Sequence, residues 1–65
     1  MNISMWTAMR EYIAAETELA VCRYARRNTV DYDQRAVDLD ARIAELQEQS
    51  TRMETAVRGY LEQPL

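Results

Sequence analysis

From Tyr32 to Tyr60 the apolar positions of this chain keep one 3-4 spacing: Tyr32, Ala36, Leu39, Ile43, Leu46, Ser50, Met53, Val57 and Tyr60, with only Ser50 polar. Residues three and four apart share one face of a helix, so this register describes a coiled-coil-type seam about four heptads long. A helix cannot bury its own stripe and needs a second surface against it. The spacing predicts a helix over about 32–61, weakened near Gly59 and unable to continue through Pro64. Residues 62–65 are expected to form a short tail.

A first helix is expected over about 3–27. Asn2 and Ser4 are both suitable N-caps, and no glycine or proline interrupts the run to Asn28. At about 100° per residue, Met5, Trp6, Met9, Tyr12, Ile13, Leu19, Ala20 and Tyr24 form one broad apolar face. The other side carries small residues, Ala8, Ala15 and Cys22, seven apart, which would let another helix approach closely. The break between the helices is placed at about 28–32. Asn28 suits the left-handed conformation that ends helices, and Thr29 and Asp31 suit a helix start. Gln34 follows Asp31 at capping-box spacing. So short a connection makes the two helices antiparallel neighbours. The expected fold is all-α, a single helical-hairpin domain over 1–65. Because helix 1 is apolar on two sides, dimerisation into a four-helix bundle is expected to complete it.

Composition sharpens this picture. Sixty-five residues bury only roughly 60% of their unfolded surface, so a lone core is marginal. Chains this short usually gain stability from disulfides, a metal or a second subunit. With one cysteine and no histidine, neither an internal disulfide nor a structural zinc site is available, and no cofactor is expected. A homodimer, or a hairpin completed by a different protein, is the remaining route. Charges interrupt every apolar run before it reaches membrane-span length, so no membrane association and a cytoplasmic location are expected. The net charge of −3 disfavours non-specific nucleic-acid binding.

Several residues are candidates for more than packing. Asp31–Arg35, Asp38–Arg42, Glu48–Arg52 and Glu54–Arg58 stand four apart with the acid first, the favourable order for helix ion pairs. Glu16 and Arg23 interrupt helix 1, and simple hairpin arithmetic sets Glu16 near Arg42 or Ala44 as a register-fixing ion pair. The same arithmetic sets Ser50 opposite Met9 or Arg10 as a packing residue. The acidic run Asp31, Asp33, Asp38 and Asp40 fails as a calcium loop, because Ala36 and Arg42 stand where a glycine and a glutamate are required. Arg23, Arg26 and Arg27, with Tyr24 among them, form the pattern of a nucleic-acid contact. They are also what the C-terminus of a helix dipole favours. Met5, Trp6 and Met9 are expected to face Met53, Val57 and Tyr60 at the open end of the hairpin, joined by Met1, Ile3 and Leu61. Methionine and tryptophan make this end the preferred contact surface for a partner or for self-association.

In length and layout the chain resembles the Rop-like plasmid copy-number regulators, short helical hairpins that dimerise into four-helix bundles. That resemblance implies RNA binding through helix 1, but no residue motif matches and no functional residues carry over from it; Arg23, Arg26 and Arg27 are candidates from their own pattern alone. It is similar in the same coarse way to the small hairpin chaperones of type III secretion needle subunits. Without histidine, lysine or a glycine-rich phosphate loop, no catalytic residues are expected and the protein reads as non-enzymatic. The leading expectation is a protein–protein interaction module, a small dimeric adaptor, chaperone or regulator of the compact kind that phages and plasmids encode. A nucleic-acid-binding regulator is the alternative.

Overall fold

The computed structural model describes residues 4–62. Helix α1 spans Met5–Arg27 and helix α2 spans Gln34–Leu61, joined by residues 28–33. The two pack side by side into a rod of 52 × 17 × 15 Å. Cross-links between them run Glu16 to Ser50, Glu18 to Arg42 and Arg26 to Asp40. As the chain advances along α1 its partners retreat along α2, so the helices are antiparallel. The all-α hairpin expected from the sequence is present. Asn2 as an alternative cap, Met1 and Ile3 at the open end, and the tail beyond Glu62 lie outside the described residues.

Each helix end has a local cause. Ser4 caps α1, its Oγ accepting from the Thr7 amide at 3.2 Å. The other end closes without the left-handed residue expected at Asn28, which has φ −98°. Instead the Asn28 side chain donates to the Tyr24 carbonyl and the Thr29 hydroxyl donates to the Ala25 carbonyl. Side chains thus satisfy the orphan carbonyls that a left-handed turn would otherwise serve. Helix α2 begins two residues later than expected, because its N-cap is Asp33, not Thr29 or Asp31. The Asp33 carboxylate accepts from the Arg35 amide at 2.9 Å. Tyr32 therefore falls in the connection, 92% exposed, and the seam of α2 begins at Ala36. The far end runs through Gly59 to Leu61, with Glu62 as C-cap.

The buried face of α1 differs from the broad face expected. Ala8, Ala15, Leu19 and Cys22 are buried, with Met5 and Tyr12 half-buried between them. These six keep the same 3-4 spacing as the α2 seam, so the face against α2 is the small-residue side. Its partners on α2 are Ala36, Leu39, Ile43, Leu46 and Ser50. Small residues on one helix and large branched ones on the other interdigitate without voids. Leu19, Cys22 and Leu46 form the centre of the core, with Leu39 and Ile43 packed against it. Trp6, Ile13 and Tyr24, members of the expected broad apolar face, point to solvent.

Candidate interaction surface

Once Ala8, Ala15 and Cys22 are committed to α2, a second 3-4 stripe on α1 is left mostly exposed, with Met9 and Glu16 half-buried at its edge. It runs from Trp6 through Met9, Ile13, Glu16, Ala20 and Arg23 to Arg27. Trp6 is 71% exposed, Ile13 60% and the neighbouring Tyr24 65%. The α1 backbone that bears them is continuous helix, so the stripe is rigid before anything binds to it. Beside it the two helices leave two shallow open grooves. One, of about 290 Å³, is bordered by Glu16, Arg23, Gln47, Ser50 and Glu54 among others. The next, of about 470 Å³, is bordered by Ala20, Arg23, Arg26, Arg27 and Ile43. Arg23 stands at the junction of both.

Ser50 and Glu16 form the polar link across this surface. The Ser50 hydroxyl, 5% exposed, donates to Glu16 Oε1 at 2.5 Å. Ser50 therefore fills its polar place in the seam by meeting Glu16, not Met9 or Arg10. Glu16 is correspondingly not the partner of Arg42. A buried hydroxyl without a partner would cost roughly 1–3 kcal/mol, which explains why a carboxylate sits half-buried opposite it. Chemically the pair satisfies a buried donor and holds one carboxylate at the groove edge. The Ser50 hydroxyl is buried in the seam, with the Glu16 carboxylate as its acceptor.

The arginines divide by role. Arg26 is engaged inside the hairpin: it pairs with Asp31 and Asp40 at 2.9 Å each and donates to the Thr29 carbonyl. Its guanidinium is held above its ordinary range, chiefly by the hydrogen bond to Asp31 and then by that to Asp40. Arg26 thus ties the connection to both helices and is not displayed for an outside ligand. Arg42 bridges Glu18 and Glu45, and hydrogen bonds to Glu18 first and Glu45 second raise its pKa likewise. A raised arginine pKa contributes stability at every pH below the ordinary value, which is lost only in strong alkali. Of the four helix pairs expected, Glu54–Arg58 is present at 2.9 Å. Asp38 instead accepts from Gln34, and Asp31 lies outside α2. Among the described residues Arg23 and Arg27 make no ion pair and are exposed.

The acidic run does not converge. Asp31 and Asp40 grip Arg26, Asp33 caps α2 and Asp38 meets Gln34, so the four carboxylates serve three separate places. At the open end, Met5, Met9, Met53, Val57 and Tyr60 are half-buried, while Trp6 turns outward. Sequence reasoning missed the Glu16–Ser50 bond and the Arg26 clamp. A signal for the first was present: Ser50 interrupts the α2 seam and Glu16 the N-terminal half of the apolar face of α1, and such interruptions tend to meet.

No protein family matches the chain, and no curated protein and no solved structure matches it. The likeness to Rop-like regulators is one of length and layout alone. No described helix is long and apolar enough to cross a membrane.

Proposed function

We propose that the protein is a non-enzymatic interaction module that offers the outer face of α1 to another helical surface. The observation that carries this reading is the set of exposed side chains Trp6, Ile13 and Tyr24 along a helix whose other face is already occupied. Singly exposed apolar residues are ordinary, but a tryptophan, an isoleucine and a tyrosine aligned along one helix mark a contact face. Affinity would come from Trp6 and Ile13 seated in a partner's grooves, with Glu16 and Arg23 setting the register. Dimerisation toward a four-helix bundle, and an adaptor, chaperone or regulator role in the cytoplasm, belong to this same reading. Met53, Val57 and Tyr60 would extend the surface at the open end.

Trp6 gives the test, because it is the only tryptophan in the chain. Trp6→Ala should leave helicity and unfolding stability within about 0.5 kcal/mol of the parent, as an exposed side chain predicts. Association should weaken by about 2 kcal/mol or more if Trp6 is an anchor. Trp6 emission should shift to shorter wavelength when the complex forms. Full affinity in Trp6→Ala, with no change in emission on binding, would remove α1 from the interface. The alternative, a nucleic-acid regulator working through the helix 1 arginines, is left with Arg23 and Arg27, since Arg26 is already paired. It requires steep salt dependence and loss of binding in Arg23→Ala/Arg27→Ala.

A further inference from the structure

The interaction reading leaves the partner open, and the order of charges along the exposed stripe narrows it. Three observations bear on this. Glu16 stands on the N-terminal half of the stripe and Arg23 on the C-terminal half, with Ala20 between them. Glu16 is fixed at the groove edge by Ser50 through one oxygen, Oε1, and Arg23 is exposed without an ion pair among the described residues. A two-fold interface must be complementary to itself, residue i meeting j while j meets i. A stripe that reads acid, small residue, base satisfies that condition only against an antiparallel copy of itself.

Resting on the interaction reading, we infer that the partner is a second copy of this chain, with α1 packed antiparallel on α1 and the two-fold axis beside Ala20. In this register Glu16 of each copy meets Arg23 of the other, and the methyl group of Ala20 lets the helices approach at the axis. At about 1.5 Å per residue, Met9 and Trp6 then lie level with the connection of the second copy, where Val30 and Tyr32 are exposed. The two most exposed aromatic side chains, Trp6 and Tyr32, are thus brought to one level, each otherwise surrounded by water. A parallel arrangement would set Glu16 against Glu16 and Arg23 against Arg23, which like-charge repulsion disfavours. The two α1 helices overlap over residues 12–27, about 24 Å, and with a rod 17 Å wide they bury on the order of 800 Å² in total. That is the size of a weak, transient interface, so the dimer dissociates at tens of micromolar or above.

Charge reversal tests the register directly. Glu16→Arg makes both positions basic and Arg23→Glu makes both acidic. Each variant alone should raise the dimer dissociation constant by about tenfold or more, measured by sedimentation from about 1 µM to 1 mM. An equimolar mixture of the two restores both contacts and should form a heterodimer at least as readily as the parent dimerises. Circular dichroism checks that each variant keeps its helices, because Glu16 also accepts from Ser50. Independently of Glu16, Ala20→Cys should form an intermolecular disulfide on oxidation, and Ala14→Cys on the opposite side should not. A parent chain monomeric over the whole range, or a mixture no more dimeric than its components, overturns the inference. A photocrosslinker at Ile13 separates the two readings. Capture of a different protein by a monomeric chain removes the second copy but keeps the interaction module, and absence of any protein cross-link removes both.

Discussion

Leu46 is the largest side chain fully enclosed among the described residues, at 1% exposure, and the core around it consists mostly of smaller groups. Replacing it with alanine removes the centre of the Leu19–Cys22–Leu46 cluster and should cost about 2–5 kcal/mol. At roughly 0.05–0.15 kcal/mol per residue, a chain of 65 residues has only about 3–10 kcal/mol to lose, so Leu46→Ala should sharply lower the thermal unfolding midpoint by circular dichroism. Gly59 is the opposite case. It lies inside α2, has no positive φ, and a methyl group built there meets nothing within 4 Å. Gly59→Ala should therefore stabilise the protein by about 0.4–1 kcal/mol in denaturant titrations, since alanine restricts the unfolded chain and fits the helix. The expectation that Gly59 marks fraying reflected its propensity. The helix runs past it because Val57 and Tyr60 on either side are half-buried.

At the scale of elements, the connection shows how local chemistry overrides a spacing rule. Asp31 and Gln34 have capping-box spacing, yet Asp33 is the residue whose carboxylate reaches an amide of the first turn. Asp31 is drawn away by Arg26, which also holds Asp40, so the connection is fixed from both helices. Asp33→Ala should cost about 0.5–2 kcal/mol in thermal unfolding, the usual loss for a removed cap. Thr29→Ala should not behave as a cap deletion of α2, because its hydroxyl serves the end of α1. The start of α2 moved by two residues for this reason, and Tyr32 left the seam with it. The 3-4 pattern from Ala36 onward was legible because it is long and uninterrupted. The face of α1 was not, since both stripes on that helix are spaced for a seam and bulk favoured the wrong one.

At the scale of the whole molecule, two helices cover only one side of each other. The result is a rod whose second face on α1 remains in water, the face on which the proposed association would draw. Its electrostatics are simple. With no histidine, no side chain has its ordinary pKa between about 5 and 8, and the pKa shifts at Arg26 and Arg42 act only in strong alkali. The midpoint of thermal unfolding should therefore stay nearly constant between about pH 6 and pH 7.5. A pronounced drop within that window would point to a titrating group created by association. Higher salt should weaken the exposed Arg42–Glu18 link and, in the proposed dimer, the Glu16–Arg23 contacts, while leaving the apolar core largely unaffected.

The sequence by itself determined the two helices, their antiparallel order and the identity of the α2 seam, because periodicity and helix-ending residues act within a few positions of the chain. It also determined that α1 has two apolar sides. Only the tertiary structure decided which of those sides meets α2, since that choice depends on how Ala8, Ala15 and Cys22 fit against Leu39, Ile43 and Leu46 across the hairpin. The same fit brought Glu16 to Ser50, took Arg26 out of the exposed basic cluster, and left Trp6, Ile13 and Arg23 facing outward. Packing complementarity is a property of two surfaces together, and neither helix specifies it alone.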